Sequence, residues 1–468
     1  MRKIKTSFFA LLITIVICLV PPINLAVASH ANLTTTEERE LGEKFMAYVK
    51  KRFTFIDDPF IANYVERVGQ HIVNQYPSPP FGFEFYVVKE DVYNAFAGPG
   101  GHIFIYSGLV AAMESEDELA GILAHEISHV LCRHISKQIE QSKKIGLATL
   151  AGVLAGVFLG GSSATASAIT TTSIAAGQSL SLKYSREHEM EADQIGLKYL
   201  REAGYNGEGL LKVLEKIRKK QWFGSKQIPS YMSTHPAVEA RMMYLDTWMQ
   251  IHPEPAGSDK PSGLPDFNKV RTKLIALYGD SAIAHNIFDA ALRKNKKDAM
   301  GYYGKGLVLF REGKRQEAEE KLKKAVELRP LDADILRDLG KTYFSMGNHA
   351  KALKALRGAL AFNSKDPEGR FLLGRAQMET GDLTDAVETF RLLLKETPDY
   401  LPGRYYLGET LGKQGKLAEA HYNLGIYYKE KGPAKTARFH LKRALKLFAR
   451  DPAKQEEIRR ILKDLPGV

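Results

Sequence analysis

Residues 113–134 read MESEDELAGILAHEISHVLCRH, and this stretch predicts the helix around which the rest of the chain is organised. Ser115 with Glu118 three residues later matches a capping box, and the acidic first turn suits the positive end of a helix dipole. Apolar side chains then recur at helical spacing and predict a buried face. They are Leu119, Ile122, Leu123, Ile127 and Val130.

The predicted helix carries His125-Glu126-Ile127-Ser128-His129. Residues four apart lie on one face of an α-helix, so His125 and His129 can bind the same metal ion. Glu126 follows the first histidine, where it would act as a general base rather than as a ligand. The alternative is two core histidines beside an unrelated glutamate, because a five-residue pattern also occurs by chance.

A second stretch, residues 185–193, supplies carboxylates for the same site. It begins another amphipathic pattern, in which Glu189 and Asp193 are four apart and share a face. A catalytic zinc ion usually has three protein ligands. One carboxylate of this pair can therefore bind zinc while the other binds the free ring nitrogen of a ligand histidine. Simple complementarity to the helix dipole is the alternative, and it would explain Glu187 better than the spaced pair.

His-Glu-x-x-His followed about sixty residues later by Glu-x-x-Ala-Asp resembles the gluzincin peptidases of the HtpX and CAAX-prenyl-protease type. The resemblance implies that His125, His129 and Glu189 bind zinc. It also implies that Glu126 is the general base and that Asp193 orients a ligand histidine. The implied fold class is mainly α, with an α+β gluzincin domain of active-site helices plus a small sheet.

Two further motifs resemble parts of the same family. The stretch Asn94-Ala95-Phe96-Ala97, followed by residues 100–105, resembles the edge strand that binds substrate backbone beside the zinc. His235 before a proline, with Arg241 six residues later, resembles the histidine and arginine that stabilise the oxyanion or, in some members, sit on the zinc. Cys132 lies close to the motif, but a single cysteine on an apolar helix face is more often a small buried hydrophobe.

The amino end predicts export. Basic residues precede an apolar run at 8–20, and the small-x-small sequence Ala26-Val27-Ala28 follows it. We therefore expect a signal peptide at residues 1–28, cleaved after Ala28, and a periplasmic protein. An uncleaved membrane anchor is the alternative, although the apolar run is shorter than the ~20 residues a span needs. Cleavage would leave Cys132 as the only cysteine, so no intramolecular disulfide is expected.

We expect the peptidase domain at residues 29–252. Within it, residues 81–88 are rich in aromatic and β-branched residues and predict a strand of the small sheet. Residues 145–181 are dominated by small and aliphatic side chains. They predict either helices packed on the core, or a lid, or a segment that contacts membrane or an unfolded client.

A Pro- and Gly-rich linker at residues 253–264 predicts a domain boundary, and residues 265–468 then repeat every 34 residues. This is the tetratricopeptide pattern of paired helices, which predicts an α-α solenoid. The first clear unit is marked by Tyr302, Gly306, Ala318, Leu322, Ala325 and Pro330. Near the end, the pattern restarts after 17 residues, which predicts that the helix over 418–430 serves two units.

Charge separates the two halves. Residues 29–264 hold 23 basic and 27 acidic residues, whereas residues 265–468 hold 40 and 27. The basic half is either a solvated surface or a site for acidic protein or anionic outer-membrane lipid. Nucleic acid is not an expected partner, because export and the lack of base-reading motifs argue against it.

These observations predict a zinc endopeptidase that acts on unfolded or strand-like polypeptides. A peptidase domain behind a signal peptide and before tetratricopeptide repeats resembles periplasmic proteases of outer-membrane quality control. That resemblance implies β-barrel proteins as clients, with the repeats docking to the outer-membrane assembly machinery. The alternative is a chaperone or scaffold in which the repeats act and the protease centre is latent or secondary.

Overall fold

The computed structural model describes residues 33–140, 150–152, 154, 184–223, 230–252 and 266–465. The expected signal peptide, the linker at 253–264 and most of the segment 145–181 lie outside these residues. The domain boundaries therefore stay a prediction.

The amino-terminal half combines helices with a small sheet, as the sequence predicts. Its helices are α1 (Thr35–Arg52), α2 (Pro59–Val73), α3 (Ser107–Ala112), α4 (Glu116–Leu131), α5 (His134–Glu140), α6 (Arg186–Glu202), α7 (Glu208–Phe223), α8 (Ser230–Thr234) and α9 (Val238–Ile251). Its strands are β1 (Glu84–Val88), β2 (Ala95–Ala97) and β3 (His102–Tyr106).

In the described part of the chain the sheet has the order β1-β3-β2. The central strand β3 pairs in parallel with β1 and antiparallel with β2. Phe96 of β2 stacks on Phe104 of β3 with ring centroids 4.6 Å apart, and both rings are buried. One face of the sheet packs in the main core with α2, α4, α6 and α7, so the sheet supports the helix that carries the histidines.

A second apolar cluster lies on the other face of the sheet, around α1. Leu150, Ala151 and Leu154, from the described part of 145–181, are buried in it. These three residues therefore fit the alternative of a segment packed on the core.

Paired helices fill the carboxyl-terminal half. They are α10 (Phe267–Tyr278), α11 (Ser281–Lys294), α12 (Ala299–Arg311), α13 (Arg315–Leu328), α14 (Ala333–Ser345), α15 (His349–Phe362), α16 (Pro367–Thr380), α17 (Leu383–Glu396), α18 (Leu401–Lys413), α19 (Leu417–Lys431), α20 (Ala434–Leu447) and α21 (Pro452–Lys463). The first helices of successive units begin at residues 299, 333, 367 and 401, which is the predicted period of 34.

Helix α19 serves two units, as the sequence predicts. Gly408 of α18 lies against Leu424 of α19, and Gly425 of α19 lies against Leu441 of α20 in the same way. The fold class is thus confirmed as a mainly α chain, with an α+β domain followed by an α-α solenoid. Across the described helices, none has both the length and the hydropathy that crossing a membrane requires.

Candidate metal centre

Helix α4 presents both histidines of the motif on one buried face. Ser115 is its N-cap and accepts the N–H of Glu118 at 3.3 Å, so the helix begins at Glu116. His125 and His129 are fully buried, and their Nε2 atoms are 3.0 Å apart. Two buried imidazole nitrogens at this distance can share one ion.

Glu189 of α6 and His235, which follows α8, complete a group of four. Glu189 Oε1 lies 3.4 Å from His129 Nε2, and Glu189 Oε2 lies 3.6 Å from His125 Nε2. His235 Nδ1 lies 3.4 Å from His125 Nε2 and 3.0 Å from Glu189 Oε1. A tetrahedral zinc ion with bonds of about 2.0–2.1 Å holds its ligands about 3.3 Å apart, so these donors fit the ion.

Asp193 and Arg241 lie behind the ligand group. Asp193 Oδ1 is 2.8 Å from His125 Nδ1, on the side of the ring away from His129. Arg241 donates from Nε and Nη2 to Asp193 at 2.8 and 2.7 Å and from Nη1 to Glu189 Oε2 at 2.6 Å. All three nitrogens of the guanidinium are therefore engaged by carboxylates, and the role of Arg241 at an oxyanion stays an untested prediction.

These buried charges set one another's protonation. Burial and Arg241 act to lower the pKa of His125, but the carboxylates of Asp193 and Glu189 outweigh them and raise it to about 9. Burial alone would raise the pKa of Glu189 and Asp193. For both, the neighbouring cations dominate and lower it, so both carboxylates are ionised at neutral pH.

Glu126 and His235 face each other inside the buried site. Glu126 Oε1 lies 3.6 Å from His235 Nε2, and neither atom has a hydrogen-bond partner although both residues are fully buried. Burial raises the pKa of the Glu126 carboxyl. Buried polar atoms without partners are rare and call for an explanation, and here both belong to groups that could take part in proton transfer.

The sequence did not predict the partner of His129. Its Nδ1 lies 2.8 Å from Nδ1 of His134, whose Nε2 lies 3.0 Å from Glu191 Oε2. Helix α4 ends at Leu131, and Arg133 adopts a φ of 54°, so the chain turns and brings His134 back beside His129. No helical spacing signals this contact, because it depends on the turn between α4 and α5.

Two tyrosines also pack against the histidines. Tyr184 stacks on His129 with ring centroids 3.8 Å apart, and Tyr231 stacks on His235 at 4.3 Å. The stacking fixes the planes of both imidazoles. Neither tyrosine belongs to a motif, so no sequence pattern marked them.

The predicted substrate strand forms β2, at one edge of the sheet in the described part of the chain. Asn94, Ala95, Phe96 and Ala97 are all buried. Substrate binding here stays a prediction.

Comparison with known proteins agrees with this geometry. Residues 60–249 match the description "Peptidase family M48". Residues 297–365 and 337–400 match "Tetratricopeptide repeat". The predicted resemblance is therefore confirmed for a peptidase domain and for repeats that follow it.

Proteins similar to this chain include "Beta-barrel assembly-enhancing protease" of Yersinia pestis, 26% identical over 312 residues. The protein of that name from Escherichia coli (strain K12) is 25% identical over 315 residues. In both cases the match covers 66% of this chain and 63% of the relative, so it spans less than two thirds of their length. "Mitochondrial metalloendopeptidase OMA1" of Arabidopsis thaliana is 34% identical over 163 residues, which is 35% of this chain and 31% of the relative.

Proposed function

We propose that this chain, an M48 peptidase domain followed by tetratricopeptide repeats, is a zinc-dependent endopeptidase. The observation that carries the proposal is the convergence of His125, His129 and Glu189 beside the unpartnered carboxylate of Glu126. A purely structural zinc site would not need an acid-base group next to its ligands.

The residues of the site have distinct roles in peptide hydrolysis. His125, His129 and Glu189 would hold the zinc, which would supply the Lewis-acid chemistry that makes water nucleophilic near neutral pH. Glu126 accepts the proton of the attacking water and delivers it to the leaving amine, a task that suits a carboxyl whose pKa is raised by burial. His235 Nε2 faces Glu126 and donates to the developing oxyanion.

We assign Arg241 a positioning role. Its guanidinium holds Glu189 and Asp193 together, and Asp193 in turn fixes the ring of His125. Outer contacts of this kind orient metal ligands and tune their basicity.

In the resting enzyme, His235 could have a second role as a zinc ligand. Its Nδ1 lies within the ligand group while its Nε2 faces Glu126. If Nδ1 occupies the fourth zinc position, the enzyme is latent until a client displaces the ring. A His235→Ala variant that is more active than the wild type on unfolded casein supports latency. A less active variant supports the oxyanion role alone.

We infer the substrates, cellular location and partners of the enzyme from its N-terminal sequence and from the names of its relatives. The enzyme is exported to the periplasm and cleaves unfolded or misassembled polypeptides. Its clients are outer-membrane β-barrel proteins, in line with the names of the curated relatives. Extended substrate adds to the edge strand β2, and the basic repeats dock to the assembly machinery, with anionic membrane lipid as the alternative partner.

Glu126→Gln tests the mechanism directly. The amide keeps the size of the side chain but cannot accept a proton, so cleavage of unfolded casein should fall by about 10²–10⁴-fold. Zinc content, measured on the same samples, should stay at the wild-type value because Glu126 is not a ligand. Unchanged cleavage would contradict the mechanism, and lost zinc would show that Glu126 holds the metal.

A chaperone or scaffold is the second candidate function. It is favoured by the complete burial of His125, Glu126 and His235, because side chains without exposed surface do not contact a substrate in this conformation. If it is right, Glu126→Gln will suppress aggregation of an unfolded β-barrel as well as the wild type does, and the wild type will not shorten the client.

A further inference from the structure

A second group of metal-binding side chains lies on the far side of His129. It consists of Cys132 at the end of α4, His134 at the start of α5, and Glu191 of α6. A sulfur, an imidazole nitrogen and a carboxylate oxygen from these residues lie within 4.8 Å of one another. Among the described residues, this group and the candidate catalytic centre are the two that could hold a metal ion.

We propose that Cys132, His134 and Glu191 form a second site for a thiophilic divalent cation such as zinc, and that an ion there weakens the catalytic centre. Thiolate, imidazole and carboxylate are the donors that zinc takes in proteins. Three such ligands leave one position for water. Cys132 and Glu191 are partly exposed, so an ion can reach them from solvent, whereas His134 is buried and held by stacking on His188 at 4.3 Å.

The second site should bind more weakly than the catalytic one. Burial and the nearby Glu191 carboxylate raise the pKa of the Cys132 thiol to about 12, so a cation must displace its proton. Lys137 Nζ also lies 3.4 Å from Glu191 Oε2 and competes for that carboxylate. The site should therefore fill only after the catalytic centre is loaded.

Proton positions link the two sites. If His129 binds the catalytic metal through Nε2, its Nδ1 carries the proton and must donate to Nδ1 of His134, 2.8 Å away. The proton of His134 then sits on Nε2 and is donated to Glu191. A cation on Nε2 of His134 would force that proton onto Nδ1, so two N–H groups would face each other at 2.8 Å.

The conflict has a definite consequence. Either His129 turns away from the catalytic metal, or one of the two facing protons is lost to solvent and one of the two rings becomes an imidazolate. Both outcomes oppose simultaneous loading, so each ion weakens the binding of the other. Filling the second site should therefore inhibit the enzyme. This inhibition rests on the proposed function, but the existence of the second site does not.

Cobalt titration tests the site without any assay of activity. The full chain, freed of metal and carrying Cys18→Ser so that Cys132 is the only thiol, is titrated with Co²⁺. The first equivalent should give no thiolate-to-cobalt absorption in the near ultraviolet, and the second should give it. Cys132→Ser, in the same Cys18→Ser protein, should bind one equivalent without that band. A single equivalent in both proteins, or a band that persists without Cys132, would overturn the proposal.

Zinc titration of peptidase activity tests the link. For each protein, the rate of casein cleavage in excess zinc is divided by the rate of the same protein at one equivalent of zinc. We expect inhibition of roughly fivefold or more with Cys132 present, the scale of a typical coupling between sites, and none in Cys132→Ser. Equal inhibition in the two proteins would overturn the link. Inactivity of both at one equivalent would count against the proposed function and leave the cobalt result standing.

Discussion

At the scale of single residues, Arg241 is the buried cation that contacts both carboxylates of the centre, Glu189 and Asp193. Replacing it by methionine would leave Glu189 and Asp193 buried with only the neighbouring histidines as counter-charges. Breaking a buried ion pair from one side costs about 3–5 kcal/mol. We expect a loss of that size in the free energy of unfolding of the metal-free protein. Tryptophan fluorescence can report it, because Trp222 and Trp248 both precede the linker.

Lys212→Met is the matched control. Lys212 pairs with Glu208 at 3.0 Å in the same half of the chain, but both side chains are more than half exposed. An exposed pair of this kind contributes at most about 1 kcal/mol. Equal losses of unfolding free energy in the two variants would contradict the claim that burial makes the Arg241 contacts more stabilising than an exposed ion pair.

At the scale of elements, a glycine sets the distance between the two ligand helices. A Cβ on Gly196 of α6 would lie 3.2 Å from the backbone carbonyl of Ala124 and 3.3 Å from the N of His125 on α4. Backbone atoms cannot rotate away, so Gly196→Ala should move Glu189 off His125. We expect zinc affinity to fall by roughly tenfold, the scale of changes just outside a metal's ligands. Competition with a chromogenic chelator measures it, and unchanged affinity would show that the helices can shift freely.

Glycines also set the helix crossings in the repeats. A Cβ on Gly340 would lie 2.7 Å from Cγ of the buried Leu356, so Gly340→Ala should destabilise the solenoid by about 1–3 kcal/mol. At Gly358 on the partner helix α15 the nearest atom would be 3.8 Å away.

Gly358→Ala should instead stabilise by about 0.5–1 kcal/mol, because alanine is the better helix former. Urea unfolding followed by far-ultraviolet circular dichroism measures the stability of each variant. Midpoints that shift in the same direction in both variants would contradict this packing.

At the scale of the whole molecule, α10 joins the two halves. Its Phe267, Val270 and Leu274 are buried in the peptidase core, while Ile275 and Ala276 are buried in the repeat core. Lys273 Nζ lies 2.8 Å from Asp58 Oδ2 at the N-cap of α2, and the lysine side chain is 3% exposed. The first helix after the expected linker therefore packs on the peptidase domain, and we expect the halves to unfold together.

Lys273→Met should uncouple them, because it leaves Asp58 without its buried cation, at a cost of about 3 kcal/mol. The fluorescence and circular-dichroism transitions in urea, coincident in the wild type, should then separate. Lys305→Met, which breaks a pair with Asp289 inside the repeats, should leave the fluorescence transition in place. Coincident transitions in the Lys273 variant would show that apolar contacts alone couple the halves.

The sequence by itself determined which residues share a face. A period of 3.6 put His125 and His129 together on α4, and Glu189 and Asp193 together on α6, while a period of 34 placed the repeat helices. Periodicity is a local property, so it can be read from residues that are neighbours along the chain.

Only the tertiary structure decided how those faces meet. The contact of His134 with His129 depends on a turn at Arg133, and the position of Arg241 depends on how α9 packs against α6. The docking of α10 on the peptidase core likewise joins residues far apart in sequence. Such contacts depend on close packing between elements, and no spacing along one element encodes them.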